Sequence, residues 1–383
     1  MESHLQSSNP DPRRILVRGT NWLGDAVMTT PALLRLREKF PAAHIAILTP
    51  EKLRELWTNH PAIDETISFA AGENIFAVAK KLRAENFDLA LVLPNSPRSA
   101  LEVFLAGIPQ RIGCERPWRN FFLTRAVAPR DHAVKMQKRS ESEIRQLVSE
   151  NPESRIQNPE IPKLAHQIHE YLNLAAALGA SPEPLAPQLF VTPEDIKIVD
   201  SRFLSPLRCG WDNAGFGTLP LMGICPRAEY GPAKRWPIEN FVEVVRKTRE
   251  HGKFQWLLFG GKADIEFGWE FNRLVGGGVC SLAGKTSLRE LMSLLKLCRV
   301  LLTNDTGPMH VAAALGVPVV AIFGSTSPEL TGPGLPGDAR NFLIKSDAPC
   351  SPCFLRECPI DFRCMNGIGV ERVVEAVLAA QSR

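Results

Sequence analysis

Asp25 closes a short loop, Gly19-Thr-Asn-Trp-Leu-Gly-Asp25, that joins an apolar run to an amphipathic one. Gly24 lets the backbone turn tightly there. A carboxylate at a strand-to-helix turn can face a ligand and take a proton from a sugar hydroxyl, which is general-base chemistry. Asn21 and Trp22 in the same loop are then candidate contacts for the hydroxyl-bearing acceptor. The residue types equally fit a helix N-cap at Asp25, a role worth about 0.5–2 kcal/mol. The loop lacks G-x-G-x-x-G, so the dinucleotide fingerprint is not met.

Two further segments suit an anionic ligand. Thr303-Asn-Asp-Thr-Gly-Pro-Met-His310 links a strand to a helix. Its small residues expose backbone N–H groups at a helix start, which favours a phosphate. Asp305, Thr306, Gly307 and His310 are its candidate binding residues, against capping and a histidine on a helix face. Pro226-Arg-Ala-Glu-Tyr-Gly-Pro-Ala-Lys-Arg-Trp-Pro237 follows another strand and carries Arg227, Lys234 and Arg235. Cations there could neutralise a diphosphate leaving group, or form a solvated basic loop. Gly278-Val-Cys-Ser-Leu-Ala-Gly-Lys-Thr286 resembles a P-loop but has five residues between its glycines where that motif has four. It is not an ATPase signature.

Residues 111–139 hold eight basic side chains, Arg116 and Arg119 among them, against Glu115 and Asp131. Interleaved with Trp118, Phe121 and Phe122, they suit an anionic, amphipathic partner at a membrane surface, or a solvated face. Cys350, Cys353, Cys358 and Cys364 follow C-x₂-C-x₄-C-x₅-C. Four thiolates that close could complete a structural zinc site. The spacing matches neither a zinc ribbon nor an iron–sulfur run, which favours packed thiols without metal.

The elements that must carry these segments follow from hydrophobic patterning. Strands are expected at 14–17, 44–48 and 87–93, with helices over 26–40 and 74–85. Strands alternating with such helices signal a parallel sheet with crossovers. The alternation fades after Gly113, and 130–165 is polar with no firm pattern. A helix over 165–178 ends at Gly179, followed by the proline-rich 181–187. Alternation resumes after Trp211-Asp-Asn-Ala-Gly-Phe-Gly217, with strands at 219–225, 254–259, 279–283, 300–303 and 317–323 and helices at 238–251 and 370–380. Two Rossmann-like α/β domains facing a cleft are expected, 1–190 and 191–383, with the boundary inside 181–217.

Composition narrows the class. The 383 residues carry 45 Lys and Arg against 41 Asp and Glu, a net +4 too mild for a dedicated nucleic-acid binder. The longest apolar stretch, 311–323, is broken by Gly316 and Pro318 and falls short of the ~20 residues of a membrane helix. The polar start has no apolar signal region, so a cytoplasmic location is expected. Nine cysteines, an odd number, argue against a disulfide framework.

Taken together, ILVRGTNWLGDAVMTTPALLRLREKFP, GPAKRWP, LAGKTSLREL and above all LLTNDTGPMHVAAALGVPVVAIFGSTSPELTGP resemble the lipopolysaccharide heptosyltransferases of glycosyltransferase family 9. The resemblance covers nearly the whole chain in order. It implies a GT-B architecture and inverting, metal-independent transfer of L-glycero-D-manno-heptose from ADP-heptose to the lipopolysaccharide inner core. It extends to the branch that adds the second heptose, onto an acceptor already heptosylated. Asp25 then matches the family's catalytic base and Lys234 its phosphate-binding lysine. Asp305, Thr306, Gly307 and His310 match its donor loop, and Glu266, or alternatively Asp264, its ribose-binding acid. Asn21, Trp22, Arg116 and Arg119 stand as acceptor contacts. No cofactor and no metal are implied. The partners implied are ADP-heptose, a lipid-linked core acceptor and the inner face of the cytoplasmic membrane. Rival readings are transfer of the first heptose or a later core sugar, or a non-catalytic nucleotide-sugar-binding protein.

Overall fold

Arg14–Arg18 (β1) buries Ile15, Leu16 and Val17 completely, as an interior strand covered on both faces must. In the computed structural model, which describes residues 11–150, 161–205 and 219–382, β1 pairs in parallel with His44–Pro50 (β2) and Leu89–Val92 (β4). Ile15 sits opposite Ile45 on one side and Leu89 on the other. Glu65–Phe69 (β3), Gln110–Cys114 (β5) and Arg125–Val127 (β6) complete a six-stranded sheet of order β3-β2-β1-β4-β5-β6. The order reverses direction between β1 and β4, the switch point beside which open α/β sheets bind ligands.

Helix formation after β1 differs from the single helix expected over 26–40. Leu23–Met28 (α1) and Thr30–Lys39 (α2) are separate, with Thr29 at the junction and Pro31 in the first turn of α2. Proline is welcome there because its missing N–H is an orphan donor anyway. Ile75–Ala84 (α3) starts at Asn74, whose side chain accepts from the Phe76 N–H. Pro97–Leu105 (α4) is capped in the same way by Ser96. Both bury apolar faces on the sheet, where Val78, Leu82, Ala100 and Val103 join Leu16, Leu48 and Val92 in one core.

A buried charge cluster fixes the chain as it leaves β1. The Arg18 Nε donates to Glu102 at 2.8 Å, and the Arg98 Nε reaches the other oxygen of Glu102 at 3.1 Å. Arg18 also donates to the Gly19 carbonyl and, at 2.9 Å, to Asn21 Oδ1, with its guanidinium over the Phe69 ring. Burial pulls the Arg18 pKa down, and the Glu102 carboxylate works against that.

The second sheet repeats the plan. Leu221–Cys225 (β7), Gln255–Leu258 (β8), Val279–Ser281 (β9), Cys298–Asn304 (β10), Val319–Phe323 (β11) and Phe342–Lys345 (β12) are all parallel. Their order is β12-β11-β10-β7-β8-β9, the same 3-2-1-4-5-6 arrangement as in the first sheet, traversed from the β12 edge. The switch point lies between β7 and β10. Ile238–Glu250 (α5), Ile265–Val275 (α6), Leu288–Leu297 (α7), Gly307–Ala314 (α8) and Val370–Gln381 (α9) cover it. α7 opens with a capping box between Ser287 and Glu290, so the segment resembling a P-loop is a turn entering a capped helix.

The described residues divide into two units. The first holds those through Asn21, Thr29–Arg130 and Glu170–Glu183; the second holds Trp22–Met28, Asp131–His169 and those from Pro184 onward. Helix α1 therefore belongs to the second unit, although β1 before it and α2 after it belong to the first. The helix expected over 165–178 spans Ile168–Ala176. The Trp211–Gly217 stretch and Cys209 lie outside the described residues.

Candidate active site

The switch point of the second sheet brings together most of the residues singled out in the sequence. Lys234 ends a short 3₁₀ turn after β7, and its Nζ donates to Asp305 Oδ2 at 2.6 Å just past β10. The Thr326 hydroxyl donates to the same oxygen at 2.6 Å. Asn304 joins the two loops: its Oδ1 accepts from the Trp236 N–H at 3.1 Å, and its Nδ2 donates to the Pro226 carbonyl at 2.7 Å. These bonds explain why β10 ends in a buried Asn-Asp pair. Both side-chain polar atoms of Asn304 and the Oδ2 of Asp305 are satisfied by the loops of neighbouring strands.

Asp25 reaches the same place through α1. It stands inside the first turn of α1, which begins at Leu23, so it is not the N-cap. Its side chain bonds Gln167 instead. Burial raises the carboxyl to about 6, with Lys234 and Gln167 pulling it down and Asp305 pushing it up. An acid held there ionises near neutrality, where a general base is most effective. His310, on α8, is buried, and its imidazole is pushed down to about 4, chiefly by burial. It is therefore neutral at physiological pH and adds no charge beside Lys234.

Two glycines make the contact between α1 and α8 possible. A Cβ on Gly24 would stand 2.7 Å from His310 Cδ2, and one on Gly307 would meet Leu23 at 2.9 Å. Gly24→Ala should therefore push α1 off α8 and displace Asp25. A shift on the order of 1 Å costs roughly 100-fold in rate, so transfer should fall by about ten- to 100-fold. Unchanged transfer by a folded Gly24→Ala protein would show that this close approach does not matter.

The remaining candidates are placed as follows. Thr306 is the N-cap residue of α8, without a side-chain cap bond, and Gly307 begins the helix. Glu266 is exposed in the first turn of α6, beyond the end of β8. Asp264 is engaged locally, accepting from Arg227 Nε at 3.2 Å and the Gly261 N–H at 2.9 Å. Trp22 is exposed and belongs to the second unit, whereas Asn21, Arg116 and Arg119 belong to the first. Arg116 pairs with Glu170 at 3.4 Å. Arg119 is fully buried, with one nitrogen toward Asn95 and with Nε and Nη2 making no hydrogen bond.

The cysteine segment touches the lysine loop. The Arg356 carbonyl accepts from the Ala233 N–H at 3.0 Å, and a Cβ on Gly231 would collide with that carbonyl at 2.4 Å. The Tyr230 hydroxyl donates to the Phe354 carbonyl, and its ring packs against both Lys234 and Arg356. Cys350 and Cys353 pack with Ile144. Burial pushes their thiols up, and it takes that of Cys364 to about 12. Among the described residues, no group of three or more His, Cys, Asp or Glu is arranged to hold a metal ion. Gln167, Asn304, Thr326 and Tyr230 were not singled out in the sequence. Asn304, Tyr230 and Thr326 lay within segments already quoted, and Gln167 did not.

Two parallel sheets of this order, each with crossover helices, and a cationic loop facing a helix start at the second switch point define a GT-B type glycosyltransferase. Residues 75–362 match the model of glycosyltransferase family 9 (heptosyltransferase), and the chain belongs to that family. It is 32% identical to lipopolysaccharide heptosyltransferase 2 of Escherichia coli (strain K12), over 84% of this chain and 85% of that one. It is 26% identical to lipopolysaccharide heptosyltransferase 1 of Pseudomonas aeruginosa, over 90% and 87%. Among solved structures, E. coli ADP-heptose LPS heptosyltransferase II aligns over 96% of this chain and 98% of its own, with a TM-score of 0.72 and 28% identity.

Proposed function

We propose that this glycosyltransferase moves L-glycero-D-manno-heptose from ADP-heptose to the heptosylated inner core of lipopolysaccharide, adding the second heptose with inversion. The observation that carries the reading is the packing of α1 on α8, with Gly24 against His310, which brings the raised carboxyl of Asp25 to the site where Lys234 bonds Asp305. Asp25 takes the acceptor hydroxyl's proton as its oxygen attacks the anomeric carbon. Lys234 and the backbone at Thr306 and Gly307 receive the negative charge growing on ADP. Asp305 and Thr326 orient Lys234, neutral His310 seats α1, and Glu266 holds the donor's ribose. One base opposite one leaving group gives inversion in a single step. Asn21, Trp22, Arg116 and Arg119 serve the acceptor, Arg119 from beneath the surface. Acceptor choice is supported by the greater identity to heptosyltransferase 2 than to heptosyltransferase 1. A lipid-linked acceptor would put the work at the cytoplasmic face of the inner membrane; among the described residues no helix is long and apolar enough to cross it.

Incubation with ADP-heptose and a mono-heptosylated, Kdo-containing core acceptor should yield the di-heptosylated product with the inverted anomer. The rate should be unchanged by EDTA. Transfer only to an acceptor without heptose would overturn the acceptor assignment. Activity that disappears with chelation and returns with magnesium or manganese would overturn the metal-independent mechanism.

A further inference from the structure

The first unit displays an aromatic surface that the proposed chemistry leaves unused. Trp118 is 89% exposed and Phe121 82%, the two most exposed large apolar side chains among the described residues. Phe121 lies 6.2 Å from Phe104 and 5.6 Å from Phe122, ring to ring, and Phe104 and Phe122 are 5.5 Å apart. A shallow recess of about 480 Å³, lined by Ile75, Leu101 and Phe122 with Arg98, adjoins the cluster. Phe76, the next residue of α3 after Ile75, is also exposed. Trp118 is held at φ +65°, a left-handed conformation that a bulky residue rarely adopts and that persists only where the surroundings impose it.

Cations surround these rings. Arg111 stacks over Phe104 at 5.4 Å while its Nε donates to the Phe122 carbonyl. Between Phe104 and Val127 three arginines reach the surface, Arg111, Arg116 and Arg125, against Glu115, while Arg119 is buried beneath them. On α3, exposed Lys80 follows Phe76 by one turn. Arginines alternate with the rings, a composition that protein interfaces share, and the lipid-linked acceptor proposed above is what selects a bilayer as the occupant. Aromatic tips among arginines match the interfacial layer of a bilayer, where rings enter the headgroup region and cations meet lipid phosphates.

We propose that Trp118 and Phe121, with Phe104 and the arginines beside them, seat the protein on an anionic lipid bilayer. The Trp118 loop leaves the carboxyl end of β5, the sheet edge where ligands of such folds bind. A molecule anchored in the bilayer by its lipid would present its sugars to that edge. The choice of a bilayer over another partner rests on the lipid-linked acceptor proposed above.

Co-sedimentation of the full chain with vesicles tests this. Vesicles of phosphatidylethanolamine and phosphatidylglycerol should bind it, pure phosphatidylcholine vesicles should bind much less, and added salt should weaken the binding. Trp118→Ser/Phe121→Ser should lower the partition by about tenfold or more, and Trp118→Phe/Phe121→Trp should restore it. Transfer to a water-soluble, deacylated acceptor should be the same in the wild type and all variants. Wild-type protein that ignores anionic vesicles, or a serine variant that binds them equally well, would overturn the proposal. So would a wild-type dimer in sedimentation that the serine variant abolishes, because the patch would then be a contact between copies. Vesicle binding that depends on these residues, in a protein without heptosyl transfer, would leave the docking surface standing and reject the activity instead.

Discussion

Asp25→Asn is expected to lower turnover by about 10²–10⁴-fold, the range for loss of a general base, while ADP-heptose still binds. The wild-type pH profile carries the same information. With the carboxyl raised to about 6, the base is protonated below that pH, so the rate should fall about tenfold per unit there and level off above it. The amide of the Asp25→Asn variant cannot titrate, so its residual rate should lose this limb. Stability should move the opposite way. A carboxyl whose folded pKa lies above its ordinary value destabilises the fold once pH rises past that ordinary value, and the cost is fully present above about 6. Asp25→Asn should therefore melt higher than wild type at about pH 8 and show no such gain near pH 4. A cap would behave differently: its loss lowers the melting temperature and spares turnover. Near-wild-type turnover in a folded Asp25→Asn protein would end the case for a base.

Lys234→Ala should slow transfer by roughly 10²–10³-fold, as when one preorganised donor to a developing anion is removed, and should weaken ADP measurably in calorimetry. Arg235→Ala is the comparison. Its Nε and Nη2 both point at the Ala228 carbonyl, at 3.3 and 3.1 Å, so its cation is committed to the loop itself and its loss should cost far less. Lys234→Arg should recover only part of the rate, because a planar guanidinium cannot occupy the position of a compact ammonium beside Asp305 and Thr326. Small and equal losses from Lys234→Ala and Arg235→Ala would return the loop to a solvated surface.

What could be read in the sequence and what could not divides along physical lines. β1, β2, β4, β7, β10 and β11 are interior strands, rich in buried Val, Ile, Leu and Ala, and their runs stand out. The strands that went unseen are edges or their neighbours. β3 is half-buried throughout, β6 has three residues, and β12 alternates irregularly. Such segments carry too little periodicity to separate from loops. The motifs at Asp25, Lys234 and Asp305 were legible because each is local, a loop between a strand and its helix. The Gln167 bond to Asp25 was not, since the partner lies far along the chain, at the start of the helix expected over 165–178, and no local pattern links the two. The division of one expected helix into α1 and α2 was likewise hidden: Thr29-Thr-Pro reads as helix interior until Pro31 proves to start a new helix. Burial of Arg119 is tertiary altogether, and no local pattern announces it.

The Lys234–Asp305 pair bears on how the enzyme lets go. An ammonium that shares its charge with a carboxylate, itself steadied by a threonine hydroxyl, offers a nucleotide only part of its pull. In the proposed mechanism that would moderate attraction in the resting complex and in the complex with spent ADP alike, with the pull greatest while the glycosidic bond is breaking and the diphosphate gains charge. On that proposal the carboxylate would reclaim the lysine as ADP departs, so the site would reset without waiting for a counterion from solution. An enzyme limited by product departure gains from such a competitor. Asp305→Asn would bind ADP more tightly and turn over more slowly for that reason, with release in place of bond cleavage as the slow step.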